Sequence, residues 1–164
     1  MVKNVFVIIH GPLEEDFLEK NLNAIHKQLS NAKVLISTYK KDADKIQGLL
    51  KKINFSARDN IQVLGCDDVF NPGFFNINRQ INLVNAALKV VDENAFVIKV
   101  RMDQTINFKS LMRMVKTFST DVKDKLITTN CYTRADRWYH PSDMLLAGDY
   151  KVLRDYYPED FFRE

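Results

Sequence analysis

The sequence predicts an α/β domain, a mostly parallel sheet with helices on both faces. Two observations carry that expectation. Short runs rich in Val and Ile that are apolar on both faces recur along the chain, as buried parallel strands require. Each early run is followed by a stretch with a helical apolar stripe, and repeated βα units close into a covered parallel sheet. At 164 residues, with 46% apolar and 27% charged residues, the chain has the size and composition of one globular domain, residues 1–164.

The first strand is expected at Asn4–Ile9 and ends at His10-Gly11-Pro12. Leu13–Ser30 follows as a helix with Leu18, Leu22, Ile25 and Leu29 on one face and Glu15, Glu19 and Lys27 opposite. Its acidic start, Glu14-Glu15-Asp16, suits the positive end of the helix dipole. Lys33–Thr38 is the second strand. A helix capped near Asp42 comes next, burying Ile46, Leu49, Leu50 and Ile53. Asn60–Leu64 is the third strand, and Gly65–Asn76 is a long loop with the turn signal Asn71-Pro72-Gly73. The spacing of Ile81, Val84, Leu88 and Val91 predicts a helix over Asn78–Val91, and Phe96–Arg101 is a fourth strand. Asn107 is placed to cap a helix that turns Leu111, Met114, Val115 and Phe118 inward. Leu126–Thr129 is a fifth strand, Cys131–Pro141 an irregular polar and aromatic loop, and Asp149–Tyr156 a last short helix.

Composition excludes several classes of function. Lys and Arg number 24 against 21 Asp and Glu, a net charge of +3, too small and too evenly spread for a nucleic-acid surface. Cys66 and Cys131 are the only cysteines. They form no metal-ligand spacing and no disulfide scaffold, so a reduced, cytoplasmic setting is expected. The apolar run Val5–Ile9 falls far short of the roughly 20 residues of a membrane span. No glycine-rich dinucleotide fingerprint follows the first strand, and no GxxxxGK[ST] run exists.

Ligands of open α/β sheets bind beyond the carboxyl ends of the strands, and the unusual residues gather there. Gly11 lets a backbone approach a ligand, or simply turns the chain. Ser37 and Thr38 could bond a base or ribose, or cap the next helix. Asp67 and Asp68 follow the third strand. Asn78 and Arg79 open a helix, where free N–H groups and a guanidinium fork suit phosphate, or form a solvated first turn. Asp103 ends a buried strand and could carry a divalent cation, Mn2+ or Mg2+, or pair with Arg101 or Lys99. In His140-Pro141-Ser142-Asp143, Asp143 could be a general base and His140 a metal or phosphate contact. Alternatively Ser142 or Asp143 caps a following helix.

Asn78-Arg79-Gln80-Ile81, the helix through Ala86-Ala87-Leu88, and Phe96–Asp103 resemble the donor-site core of GT-A-type glycosyltransferases. More narrowly, the set resembles the WavE lipopolysaccharide-synthesis family. His10-Gly11-Pro12 matches its QGP-like turn, Ser37-Thr38-Tyr39 its STW-like strand end, and Asn71-Pro72-Gly73 its DPG-like turn. Its NRQ helix start, KxRxD strand end and HPSD segment match Asn78-Arg79-Gln80, Lys99–Asp103 and His140–Asp143. The likeness runs from Val5 to about Leu153. His10 stands for the family's Gln, Tyr39 for its Trp, and Arg101 for the first acid of the usual DxD metal motif.

The resemblance implies a glycosyltransferase that moves a sugar from a nucleotide-sugar donor to a lipopolysaccharide or capsular polysaccharide precursor. The donor would contact Gly11, Ser37, Thr38, Asp67, Asp68, Asn78, Arg79 and Arg101, with Asp103 at a divalent cation and Asp143 and His140 catalytic. A glycan or lipid-linked acceptor would bring the protein to the inner face of the membrane. The chain is short for the family and ends without a closing element, so C-terminal acceptor-binding parts are expected beyond it. Two alternatives stand beside this reading. One is a sugar nucleotidyltransferase, although Gly11-Pro12-Leu13-Glu14-Glu15 is acidic where such enzymes carry a glycine-rich basic loop. The other is a non-enzymatic α/β binding or assembly module with a degenerate site.

Overall fold

Valine and isoleucine at alternate positions face both ways from Val5–His10 (β1), and the sheet is built outward from this strand. The computed structural model describes residues 4–52, 60–129 and 143–161. Lys33–Tyr39 (β2), Ile61–Cys66 (β3) and Phe96–Arg101 (β4) run parallel to β1 in the order β3-β2-β1-β4. Ile127–Thr128 (β5) and Leu145–Asp149 (β6) complete a six-stranded sheet, with β6 antiparallel to both β4 and β5. The register sets His10 against Ser37 on one side and Arg101 on the other. Three chemically distinct side chains therefore meet at one rim.

Helices cover both faces. Glu15–Gln28 (α1), Lys40–Lys52 (α2) and Phe108–Thr117 (α4) pack Leu18, Leu22, Ile46, Phe108 and Leu111 against Val7, Ile9, Ile36 and Ile98. On the other face Ile77–Leu88 (α3) and Tyr150–Tyr156 (α5) bury Ile81, Val84, Leu88 and Leu153 against Phe6, Ile8, Leu35 and Val97. Each such side chain contributes about 1.5–3 kcal/mol by leaving water, so α3 is firmly seated and Arg79 in its first turn is well placed. Among the described residues no helix is long and apolar enough to cross a membrane.

The mostly parallel α/β sheet matches expectation, and the structure differs from or adds to it at four places. The sequence assigns no element to Leu145–Gly148, because so short a run ending in Gly148 and Asp149 gives no strand alternation. It pairs antiparallel with β4. α2 begins at Lys40 directly from β2. Asp42 lies buried in its first turn and accepts from the Leu13 N–H at 3.3 Å, holding the β1–α1 connection rather than a cap. In α4, Asn107 caps as expected, accepting from Ser110 N. Phe108 takes the buried place, whereas Met114 and Phe118 face solvent. Finally, a strand and not a helix follows Asp143, so the capping alternative for that residue falls.

Candidate functional site

The site grows from the end of β4. Strand alternation puts Val97, Lys99 and Arg101 on the α3 face of the sheet, and Lys99 is fully buried. Its Nζ donates to the backbone oxygen of Asp143, tying the start of β6 to β4. Burial pushes the Lys99 ammonium down to about 7, with Asp143 and Asp103 opposing that shift and Arg101 adding to it. His10 lies beside it on β1, buried, with no partner for Nε2 among the described residues. Burial first, then Lys99 and Arg101, hold this imidazole well below its ordinary value, so it is neutral at pH 7.

Beyond Lys99 the strand ends in a turn, Gln104 N–H donating to Arg101 O at 3.2 Å. The turn brings Asp103 back to Arg101. Arg101 Nε donates to Oδ1 at 3.0 Å and Nη2 to Oδ2 at 2.7 Å. This fork holds the Asp103 carboxyl below the usual carboxylate range. The third guanidinium nitrogen, Nη1, stands 3.6 Å from Asp143 Oδ2, which also accepts from Gln80 Nε2 at 2.9 Å. Across the cleft Arg79 makes a second fork, Nε to Asp68 Oδ1 at 2.8 Å and Nη2 to Oδ2 at 2.6 Å. Its Nη1 donates to Asn76 Oδ1 at 2.9 Å.

Gly11 forms the floor. At φ 131° only glycine is unstrained, and an added Cβ would stand 3.4 Å from the Met102 Cβ. Gly11 N–H donates to Ser37 O. The opposite wall carries Phe75 and Asn76, both non-glycine residues in left-handed conformation, φ 53° and 61°. Such geometry is strained for a phenylalanine, and Phe75 is left exposed at the rim. Together these groups enclose a cleft of about 420 Å³, bounded also by Tyr39, Lys41, Glu14 and Leu83.

Of the residues expected from sequence, Gly11, Asp68, Arg79, Arg101, Asp103 and Asp143 converge on this cleft. Two of the expected side chains are committed within the fold. Ser37 and Thr38 are fully buried, and their hydroxyls donate to Leu83 O at 2.6 Å and Gly11 O at 2.8 Å. These bonds fasten α3 and the glycine turn to β2. Asp67 pairs with Lys40 at 2.7 Å, away from the cleft. Asn78 is buried and donates to Asn71 O at 3.1 Å, bracing the loop. His140 lies outside the described residues, as do Cys131, Trp138, Tyr139 and Ser142. Lys41, Glu14 and Phe75 were not anticipated. For the buried charge a signal did exist, a lysine inside the otherwise apolar run Phe96-Val97-Ile98-Lys99-Val100.

The alternative of an Arg101–Asp103 pair is therefore realised. Among the described residues no three His, Cys, Asp or Glu side chains come together as a metal-holding group. Asp103 does supply the single hard carboxylate that suffices for Mg2+ or Mn2+ when phosphate oxygens provide other ligands. With one such carboxylate, the chain's own residues could hold a divalent cation only together with oxygens that a phosphate supplies.

No family model matches the sequence, and no curated protein sequence matches it significantly. Solved structures do share the fold. The 4-diphosphocytidyl-2C-methyl-D-erythritol synthase of Anaerococcus prevotii superposes with a TM-score of 0.60 at 15% identity, over 100% of this chain and 81% of that one. Mannosyltransferase PcManGT of Pyrobaculum calidifontis, in complex with GDP-Man and Mn2+, gives 0.63 at 14% identity, over 93% of this chain. The present chain spans 46% of that mannosyltransferase's length. A further 4-diphosphocytidyl-2C-methyl-D-erythritol synthase gives 0.50 at 12% identity, over 90% of this chain and 73% of that one. The chain thus has the α/β fold common to these nucleotidyltransferase and GT-A-type structures, and the narrower likeness to the WavE family is not matched by any of these comparisons.

Proposed function

We propose that the chain is the donor domain of a glycosyltransferase that uses a nucleotide sugar. The observation that carries this reading is the pair of guanidinium forks, Arg79 and Arg101, lining one cleft at the carboxyl ends of the parallel strands. Two forks suit the oxygens of a diphosphate. The base and ribose would lie over Gly11 and the ends of β1 and β2, against Tyr39 and Asp68. On departure of the nucleoside diphosphate, Arg79 and Arg101 offset the charge that develops on the leaving oxygens. Asp103 is the residue that would hold a divalent cation accompanying the diphosphate, which when bound would supply Lewis-acid stabilisation of the leaving group.

Asp143 is the proposed base. Its carboxylate is half exposed and is held by Gln80 at 2.9 Å, and its backbone oxygen is held by Lys99. It takes the proton from an acceptor hydroxyl as the new glycosidic bond forms. His140 belongs to the proposal as a contact to phosphate or cation. The acceptor class, a lipopolysaccharide or capsular polysaccharide precursor presented at the inner membrane face, rests on the resemblance of the motifs.

A sugar nucleotidyltransferase reading is favoured by one observation, the 81% coverage of the synthase against 46% of the mannosyltransferase. Against it, the loop after β1 is Gly11-Pro12-Leu13-Glu14-Glu15 and brings the acid Glu14 to the cleft, where such enzymes carry a glycine-rich basic loop. Thermal-shift screening separates the readings. Nucleotide sugars such as GDP-mannose should raise the melting temperature in the presence of Mn2+. If CTP and other nucleoside triphosphates stabilise the chain and nucleotide sugars do not, glycosyl transfer is the wrong chemistry.

A further inference from the structure

We propose that Arg101 masks Asp103 in the free protein and that a diphosphate removes the mask. The divalent cation then enters with or after the nucleotide and does not bind alone. This rests on the reading of the cleft as a diphosphate site. Both oxygens of Asp103 are taken by the Arg101 fork, at 3.0 and 2.7 Å, and the remaining Nη1 stands 3.6 Å from Asp143. A guanidinium thus occupies the place between two carboxylates that a metal ion would seek. A free cation approaching Asp103 meets a full positive charge at contact distance, with the buried Lys99 beneath it. Repulsion of like charges at a few ångströms opposes its binding.

The same geometry decides which partner moves. Asp103 is short and fixed in the turn closed by Gln104 N–H and Arg101 O. Arg101 has a long side chain, about two-fifths exposed, and an ion pair so exposed is weakly held. A diphosphate carries more charge than a carboxylate and accepts a bidentate fork equally well. It therefore draws the guanidinium outward, and Asp143 provides a second acceptor along the way. Once the fork faces phosphate, the Asp103 oxygens are open to a cation that the phosphates also ligate. Arg79 and Asp68 repeat the fork on the opposite wall, but among the described residues no second acid pairs with that guanidinium, so a guanidinium held between two acids is particular to Arg101 there.

The test uses Mn2+ alone and, separately, GDP, UDP and CDP alone on the chain. Electron paramagnetic resonance of free Mn2+ should show negligible uptake by the native protein without nucleotide. Arg101→Gln should take up one Mn2+ per chain at least about tenfold more tightly, and adding Asp103→Asn to that variant should abolish the gain. In EDTA, calorimetry should show GDP binding to the native protein and about tenfold or greater loss in Arg101→Gln. If Arg101→Gln fails to melt cooperatively, Arg101→Lys replaces it, with one fewer bond to Asp103 and a smaller gain of the same sign. Native protein that binds Mn2+ alone as tightly as Arg101→Gln overturns the proposal, as does a gain that survives Asp103→Asn. If neither GDP, UDP nor CDP binds any variant, the donor reading fails, while the Mn2+ arm still decides whether Asp103 is masked.

Discussion

The ends of β2 and β4 lie at the same rim, one strand on each side of β1, yet they treat polar side chains in opposite ways. At the end of β2, Ser37 and Thr38 are dry, each hydroxyl spent on a backbone carbonyl. At the end of β4, Arg101 and Asp103 are about two-fifths exposed and bonded to each other. Side-chain reach explains the difference. A hydroxyl one bond from Cβ finds the nearest carbonyl and is absorbed into the fold. A guanidinium clears the backbone and remains exchangeable. The rim therefore divides into a neutral, buried half that builds the cleft and a charged half that can answer a ligand, Arg101 and Asp103 on one wall together with the Arg79–Asp68 fork across the cleft.

The strongest way to break this division is Asp143→Asn, in the charged half. A general base contributes roughly 10²–10⁴-fold to rate, so transfer from a nucleotide sugar should fall by about that factor while donor affinity stays within about twofold. Native turnover in the variant would move the base elsewhere.

Lys99 extends the charged half beneath the surface, and its effect is on stability. Its proton is released near pH 7 in the native chain and near 10.5 when unfolded. Between those values the unfolded state binds the proton that the native state has given up, so stability rises with pH across that window. Below about pH 7 both states are charged and the full burial cost persists. Lys99→Met should abolish this rise, which amounts to at most a few kcal/mol by linkage, and should not weaken the fold at pH 7 by more than the lost bond to Asp143. Denaturant titrations of both proteins at pH 6, 7.5 and 9 provide the check, and parallel pH profiles would contradict it.

Arg79→Lys is a smaller perturbation of the charged half. Replacing a fork by a point charge removes a charge-assisted bond worth roughly 1.5–3 kcal/mol, or about tenfold or more in nucleoside diphosphate affinity. The melting temperature should hardly change. The neutral half should respond in the reverse sense. Thr38→Val should cost about 1 kcal/mol of stability by removing the bond to Gly11 O, with GDP affinity unaltered. An affinity loss in Thr38→Val at native stability would return its hydroxyl to the ligand.

Much of this division was legible in the sequence, and its limits are physical. Strand runs such as Phe96–Val100 and the stripe Ile81, Val84, Leu88 specify β4 and α3, because burial selects those periods. The order of the strands then puts Gly11, Arg79, Arg101 and Asp103 at one rim. What sequence could not separate was whether a rim residue faces the ligand or the fold. Ser37 and Thr38 look as available as Asp68 until the carbonyls of Leu83 and Gly11 are in place. Nor could it give the β6 pairing, since Leu145–Asp149 is too short to show a period. Phe75 was hidden for a related reason, because its position depends on a left-handed backbone that no local propensity predicts for phenylalanine.

The central claim is that the charged half of the rim binds the diphosphate of a nucleotide. Calorimetric titration of GDP, UDP and CDP into the native chain, Arg79→Ala and Thr38→Val tests it most directly. The account predicts that at least one nucleoside diphosphate binds the native chain with one site per chain. Its affinity should fall about tenfold or more in Arg79→Ala and stay unchanged in Thr38→Val. Equal affinity in Arg79→Ala and the native chain, or no binding of any of the three to the folded native protein, would contradict it.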